Sequence, residues 1–130
     1  MLRLATRNDI SHIKRIARIY DDSDELGFVS EVEIRSSVER EECLYDLSGS
    51  FCLFHRRRDK VTKVYAICVP ENARGRGLGK SMLAMLCLPI ELTCAEDNPN
   101  NGFYKHLGFT LVAVKPGRKR NLNIWRLDSR

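Results

Sequence analysis

The sequence predicts a single α/β domain, an α+β layered arrangement on a mixed, mostly antiparallel central sheet flanked by about four helices. Three observations lead there. Apolar residues recur at helical spacing from Ile10 to Tyr20. Three strand-like runs separated by turn residues lie between Glu41 and Val69. Beyond Pro70, helical and strand-like patterns alternate as far as Leu127. At 130 residues the chain has room for one core and not for two, so residues 1–130 are one domain.

Leu2 to Thr6 reads as a short strand, and Asn8 or Asp9 can cap the helix carrying Ile10, Ile13, Ile16, Ala17 and Tyr20. Asp21-Asp22-Ser23-Asp24 ends it in a polar loop. Ser30 is placed to cap a second helix, with Glu33 as its capping-box partner; Val32, Ile34 and Val38 would face inward. Glu41 to Leu47, Ser50 to His55 and Thr62 to Val69 read as strands. Turns at Gly49 and Arg57-Arg58-Asp59-Lys60 join them, so they should pair as an antiparallel meander. Pro70 stops the third. Leu78 to Leu88 is helical, with apolar residues at 78, 82, 83, 85 and 86, and Ile90 to Cys94 is a buried strand. Asn98 to Leu107 is a helix with Pro99 in its first turn, ended by Gly108. Phe109 to Val114 and Asn121 to Leu127 form a hairpin around Pro116-Gly117. The element order is β-α-α-β-β-β-α-β-α-β-β.

Hydrophobic content of 43% with 30% charged residues is that of an ordinary globular protein. No apolar run nears the ~18 residues of a membrane span, and the first residues lack the apolar stretch of a secretory signal. A cytoplasmic protein without a membrane partner is expected. Five cysteines, an odd number without a C-x-x-C pair, read as inert thiols in a reducing compartment, four of them buried. His12, His55 and His106 show no metal-ligand spacing to a cysteine or carboxylate, so no metal is expected. The net charge of +5 is unevenly spread. Residues 21–46 carry ten acidic side chains against Arg35 and Arg40, and residues 115–130 carry six Lys or Arg against Asp128. Two surfaces with different partners are implied, beside the plainer reading that each run is a solvated face.

The most informative stretch is Val69-Pro70-Glu71-Asn72-Ala73-Arg74-Gly75-Arg76-Gly77-Leu78-Gly79-Lys80. A strand runs into glycines at alternate positions, and the last opens a helix. Glycines allow positive φ and close backbone approach, so successive N–H groups can converge on an anion. The helix start adds unpaired donors and the positive end of its dipole. Arg74, Arg76 and Lys80 add formal charge, and together these groups make a pyrophosphate cradle. A Walker A loop would need glycine where Arg74 stands. A dinucleotide fingerprint starting at Gly75 would need glycine or alanine at Lys80.

The order Arg74-x-x-Gly77-x-Gly79 after a strand ending Val69-x-Glu71 resembles the acyl-CoA loop of the GNAT acetyltransferase superfamily. Asn98-x-x-x-x-Phe103-Tyr104-x-x-x-Gly108-Phe109 is similar to that superfamily's second signature, and Leu2-Arg3-Leu4-Ala5-Thr6-x-x-Asp9 to its usual opening. The resemblance runs end to end and is sharpest from about residue 64 to 109. It implies an acyl-CoA-dependent N-acyltransferase, with acetyl-CoA or another acyl-CoA as co-substrate. Arg74, Gly75, Arg76, Gly77, Leu78, Gly79 and Lys80 would bind the pyrophosphate through their backbone. Ile67, Cys68 and Val69 would bond the pantetheine arm like an added strand, in a splay between the fourth and fifth family strands, here residues 62–69 and 90–94. Asn98 would touch the cofactor near the thioester, and Tyr104 would protonate the departing thiolate; Phe103 is expected in the core.

No carboxylate lies between Lys60 and Val69, where relatives often carry a base, leaving Tyr65, Glu31, Glu33 and His55 as candidates. With period two, Lys63, Tyr65, Ile67 and Val69 would share one face. The resemblance also implies that the first two helices wall the acceptor site. There Asp21, Asp22, Asp24, Glu25, Glu31 and Glu33 would attract a cationic amine, on a small molecule or a protein. The alternative is nucleic acid, as substrate or as bound partner, held by Arg56-Arg57-Arg58 and Lys115 to Arg120 with Trp125 nearby. Monomer and homodimer are both compatible with the sequence.

Overall fold

In the computed structural model, which describes residues 1–20 and 29–130, the strands are β1 (Arg3–Leu4), β2 (Cys43–Tyr45), β3 (Phe51–Arg56), β4 (Thr62–Cys68), β5 (Ile90–Ala95), β6 (Thr110–Pro116) and β7 (Asn121–Leu127). The helices are α1 (Ile10–Ile19), α2 (Glu31–Glu39), α3 (Leu78–Ala84) and α4 (Asn100–His106). The strands form one sheet in the order β1-β2-β3-β4-β5-β7-β6. Every pairing is antiparallel except β4 with β5, so the expected element order and mixed sheet are both found. The expected loop at Asp21-Asp22-Ser23-Asp24 lies outside the described residues.

A short 3-10 turn, Arg7–Asp9, leads into α1. The Asp9 carboxylate accepts from the Thr6 backbone N–H at 2.8 Å and from both Arg3 guanidinium nitrogens at 2.7 and 3.0 Å. Chiefly through Arg3, these bonds hold its pKa down at about 2. At α2 the expected cap is present: Ser30 Oγ accepts from the Glu33 N–H at 3.1 Å. Ile34 and Val38, one turn apart, are buried, whereas Val32, expected inward, is 74% exposed. It precedes Ile34 by two residues, about 200° around the helix.

Two cores lie on opposite faces of the sheet. One packs Ile10, Ile13, Ile16, Ile34 and Val38 from α1 and α2 onto Cys43, Phe51, Leu53, Ala66 and Cys68. The other packs Met82, Leu83 and Tyr104 from α3 and α4 onto Cys52, Val64, Ile90, Leu92, Cys94 and Trp125. Helix α3 ends at Ala84, one turn earlier than the apolar spacing suggests. The chain beyond is drawn toward the sheet: Thr62 Oγ1 donates to the Cys87 carbonyl at 2.6 Å, and Arg56 donates to the carbonyls of Cys87 and Leu88 at 3.3 and 3.2 Å. Pro89 follows and lacks the N–H that a continuing helix would need.

Two irregularities position the site. Strands β4 and β5 pair only from Thr62 to Val64 with Ile90 to Leu92, then part, giving the expected splay. Opposite β3, Leu53 pairs with Ala66 and Phe54 with Val64, so Tyr65 is an extra, bulged residue.

Candidate functional site

Where β4 and β5 part, a cleft of 390 Å³ opens between the end of β4, the glycine loop and α4. Ile67, Cys68 and Val69 form one wall; Arg74, Gly75, Gly77, Leu78, Gly79 and Lys80 close one end; Tyr20, Asn100, Phe103 and Tyr104 complete it. Ten of the twelve site residues expected from the sequence are thereby brought together. Arg76, which is exposed, and Asn98, which is buried, lie outside this wall.

The loop is held at both ends. Arg74 Nε donates to the Val69 carbonyl at 3.0 Å, and its guanidinium lies 5.7 Å from the centroid of the Tyr20 ring. The Tyr20 hydroxyl accepts from the Glu71 N–H at 2.8 Å. Gly75 and Gly77 adopt φ of +85° and +72°, in the left-handed region that disfavours any side chain. No heavy atom lies within 4 Å of a Cβ built at either, so the requirement is conformational and not spatial. A Cβ at Gly79 would stand 3.3 Å from Phe103 Cζ, so that glycine lets α3 approach α4. The Ser81 N–H reaches back to the Gly77 carbonyl at 2.9 Å. The amides of Leu78, Gly79 and Lys80 precede that bond and have no intrahelical carbonyl, leaving donors at the cleft end.

Tyr104 is 5% exposed and its ring packs 5.5 Å from that of Phe103 and 5.7 Å from that of Phe109. Its side chain forms part of the cleft wall, and its hydroxyl makes no hydrogen bond with the described residues. Burial pushes its pKa up, with the neighbouring Cys94 and Cys52 thiols adding to the effect, so it is a neutral phenol. A buried hydroxyl without a partner is costly, and here it borders a space where a ligand could provide one. The Asn98 Oδ1 accepts from the Asn100 N–H at 2.8 Å at the start of α4. Asn100, two residues on, reaches the cleft. Phe103 is 38% exposed and forms wall, not core.

The opposite side of the sheet offers a second depression of 440 Å³, lined by Val32, Glu33, Ser36, Ser37, Arg40, Leu53, His55 and Tyr65. The bulge changes the expected alternation here. Ile67 and Val69 pack with the core on the cleft side, while Tyr65, half exposed, opens onto this depression. Of the candidate bases, His55 Nδ1 is 2.7 Å from Glu42 Oε1. Glu31 is paired with Lys14 and Arg35, both at 3.1 Å, which lowers its pKa. Asp21, Asp22, Asp24 and Glu25 of the expected acidic wall lie outside the described residues. Trp125 is buried and donates to Asn101 Oδ1 at 2.8 Å, so it offers no free stacking surface.

Comparison with known proteins gives a consistent picture. Residues 15–111 match the family model described as an acetyltransferase (GNAT) domain. A mycothiol acetyltransferase of Corynebacterium jeikeium (strain K411) is 41% identical over 63 residues, covering 42% of this chain and 18% of that protein, so the match spans less than a fifth of the relative's length. The crystal structure of Ard1 from Thermoplasma volcanium superposes with a TM-score of 0.82 at 19% identity, covering 98% of this chain and 95% of that one. Arabidopsis thaliana Naa50, solved with the bisubstrate analogue CoA-Ac-MVNAL, superposes with a TM-score of 0.73 at 14% identity, covering 99% and 98%. At those identities the two structures establish a shared fold.

Proposed function

Because the chain belongs to the GNAT acetyltransferase family, we propose that it moves an acetyl or similar acyl group from acyl-CoA to a primary amine by direct attack, with Tyr104 as the acid that protonates the departing thiolate. The observation that carries this reading is the placement of a buried phenol, unbonded to the described residues, on the wall of a cleft that begins where two parallel strands part. Arg74, Gly75 and Gly77 through Lys80 would receive the pyrophosphate on loop amides and cationic side chains. Beyond Val64 no described strand lies beside β4 on the β5 side, so the amide-bearing pantetheine arm can bond that edge as a strand would. Asn100 and Phe103 complete the enclosure, and Asn98 supports it by fixing the start of α4. The complex of Naa50 with a CoA-containing bisubstrate analogue supports acyl-CoA as the co-substrate.

The chemistry follows from the surroundings. The amine lone pair forms the N–C bond, and the C–S bond breaks. Sulfur takes the proton from Tyr104 Oη, which regains one from water. Apolar surroundings hold the phenol neutral, and they also raise the proton affinity of a thiolate released into them, so the transfer remains matched. Strand β4 carries no carboxylate, and the proton lost by nitrogen is left to water.

Calorimetric titration with acetyl-CoA and with CoA at moderate salt tests the cleft assignment. Saturable one-to-one binding is expected, weakened when Arg74→Ala is combined with Gly77→Ala. Absence of binding by a folded sample would overturn it.

A further inference from the structure

Two basic segments far apart in sequence flank one stretch of the sheet, Arg57 beside Glu91 at the start of β5 and Arg120 beside Asp97 just past its end, and the acyl-transfer chemistry uses neither. Residues 56–58 lie at the end of β3 and in the turn to β4; residues 115–120 lie at the end of β6 and in the turn to β7. Lys63, Glu91, Arg126 and Thr110 form one row across β4, β5, β7 and β6, and Ala95, Leu122 and Lys115 form another across the last three. Their chain neighbours Ile90, Leu92, Cys94, Trp125 and Leu127 face the core beneath α3 and α4. Alternation therefore puts both rows on the opposite face. There the core under α1 and α2 draws strand residues from β2, β3 and β4 only, and no described helix packs over the β5, β7 and β6 portion.

Lys63 stands at the junction. Its ammonium donates to Thr93 Oγ1 at 2.7 Å, beside the point where β4 and β5 part. Burial is the main cause lowering its pKa; Glu91 opposes the shift, and Lys115 and Arg57 reinforce it. Both basic segments are thus electrostatic neighbours of one side chain. The acidic groups nearby are partly engaged: Asp59 lies 3.2 Å from Arg57, Asp128 2.8 Å from Arg126 and Asp97 3.0 Å from Arg120. Glu91 is 3.6 Å from Arg57 and 3.9 Å from Lys63. Lys115, Arg118 and Lys119 have no carboxylate partner among the described residues, which leaves the face positive. Tyr65, next but one to Lys63 and pushed out by the bulge, is 50% exposed.

We propose that this face binds a single-stranded polynucleotide, with phosphates on Lys63, Lys115, Arg118 and Lys119 and a base against Tyr65, so that the acceptor amine reaches the cleft on a nucleic-acid strand. Lys63 and Lys115 are separated by three inter-strand steps of about 4.8 Å and by four residues of about 3.3 Å along the strands, or about 20 Å between backbones. A small anion would engage one or two of these cations, whereas a chain of phosphates engages all of them. A half-exposed aromatic ring beside a cationic track is what sequence-tolerant binding of unstacked bases requires. The catalytic use of the strand rests on the acyltransferase reading, while its binding does not.

The test is fluorescence anisotropy with labelled DNA and RNA strands of about 15 nucleotides, spanning several site sizes, alongside acetyl-CoA calorimetry on the same sample. Four neutralised phosphates predict a log–log salt slope near −3, or about a 50-fold loss of affinity between about 50 and 200 mM salt. Lys115→Glu with Lys119→Glu should weaken strand binding at least about tenfold, and Tyr65→Ala by a similar factor. Acetyl-CoA affinity should be unchanged in both. Arg15→Glu with Arg18→Glu, on the outer side of α1, is the control and should have little effect. Failure of either strand to bind a sample that binds acetyl-CoA would overturn the proposal. So would equal loss in the α1 control, or equal competition by a polyglutamate peptide. A sample that binds the strand at this face but not acetyl-CoA would support the docking surface and remove the cofactor reading instead.

Discussion

Replacing Tyr104 by phenylalanine should make the protein more stable and a much poorer enzyme. The ring is enclosed by Phe103 and Phe109, and the hydroxyl makes no hydrogen bond with the described residues. Removing it therefore deletes no bond to a described residue and relieves a buried polar atom that has no partner among them, a burden of about 1–3 kcal/mol. Taking the lower end, about 1 kcal/mol, and an unfolding entropy of about 2.1 cal/mol/K per residue, Tm should rise by about 4 °C for a chain of this length. Turnover should fall about 100-fold or more, the usual contribution of a positioned acid. Acetyl-CoA affinity should change by less than about twofold, because the hydroxyl matters chiefly when charge develops on sulfur. Differential scanning fluorimetry, calorimetry and thiol release on one preparation read all three. A fall in Tm with proportionate loss of affinity would refute the reasoning, since the hydroxyl would then be holding the fold. Unchanged turnover would refute the acid role.

Asp9→Asn should cost about 2 kcal/mol at neutral pH, the equivalent of a shift from 3.8 to about 2. The wild-type contribution is present above pH 3.8 and lost as pH falls toward 2, so acid unfolding of the variant should be flatter over that window. Gly77→Ala, at a φ of +72°, should cost about 1 kcal/mol of strain and, by moving the loop amides, weaken acetyl-CoA binding about tenfold in calorimetry. Thiol labelling of the native protein should modify Cys87 alone, and all five cysteines after unfolding, because the other four are buried. Burial pushes Cys43 up to about 12 and Cys94 to about 11. These raised values favour the folded state below pH 9, and denaturant midpoints should fall as pH rises above it.

Much of this was legible because it is written in local patterns. The Ser30 cap, the glycine loop and the spacing from Asn98 to Gly108 depend on neighbouring residues, and each appears where the sequence places it. What escaped depends on partners far along the chain. Helix α3 stops early because Thr62 and Arg56, on other strands, bind the carbonyls after it. Tyr20 looked like one more apolar position of the first helix, yet its hydroxyl meets Glu71 and its ring meets Arg74. Its polar tip, at the end of an otherwise apolar stripe, was the available signal.

The bulge at Tyr65 is the least legible feature and the one that most shapes the site. Strict alternation would send Lys63, Tyr65, Ile67 and Val69 to one face. One extra residue opposite Leu53 and Phe54 instead divides them. Ile67 and Val69 go to the cleft side, while Lys63 and Tyr65 go to the side that carries α1 and α2. The same strand can therefore offer an apolar wall to a cofactor and a cation and an aromatic ring to an acceptor, within seven residues of chain. Removing residue 65 would restore regular pairing and leave Lys63 and Val69, then five positions apart, on the opposite faces they now occupy. Such a deletion should weaken strand binding about tenfold through loss of the Tyr65 ring and leave acyl-CoA binding unchanged. Loss of acyl-CoA binding in a deletion variant that folds would mean that the cleft wall depends on the bulge itself.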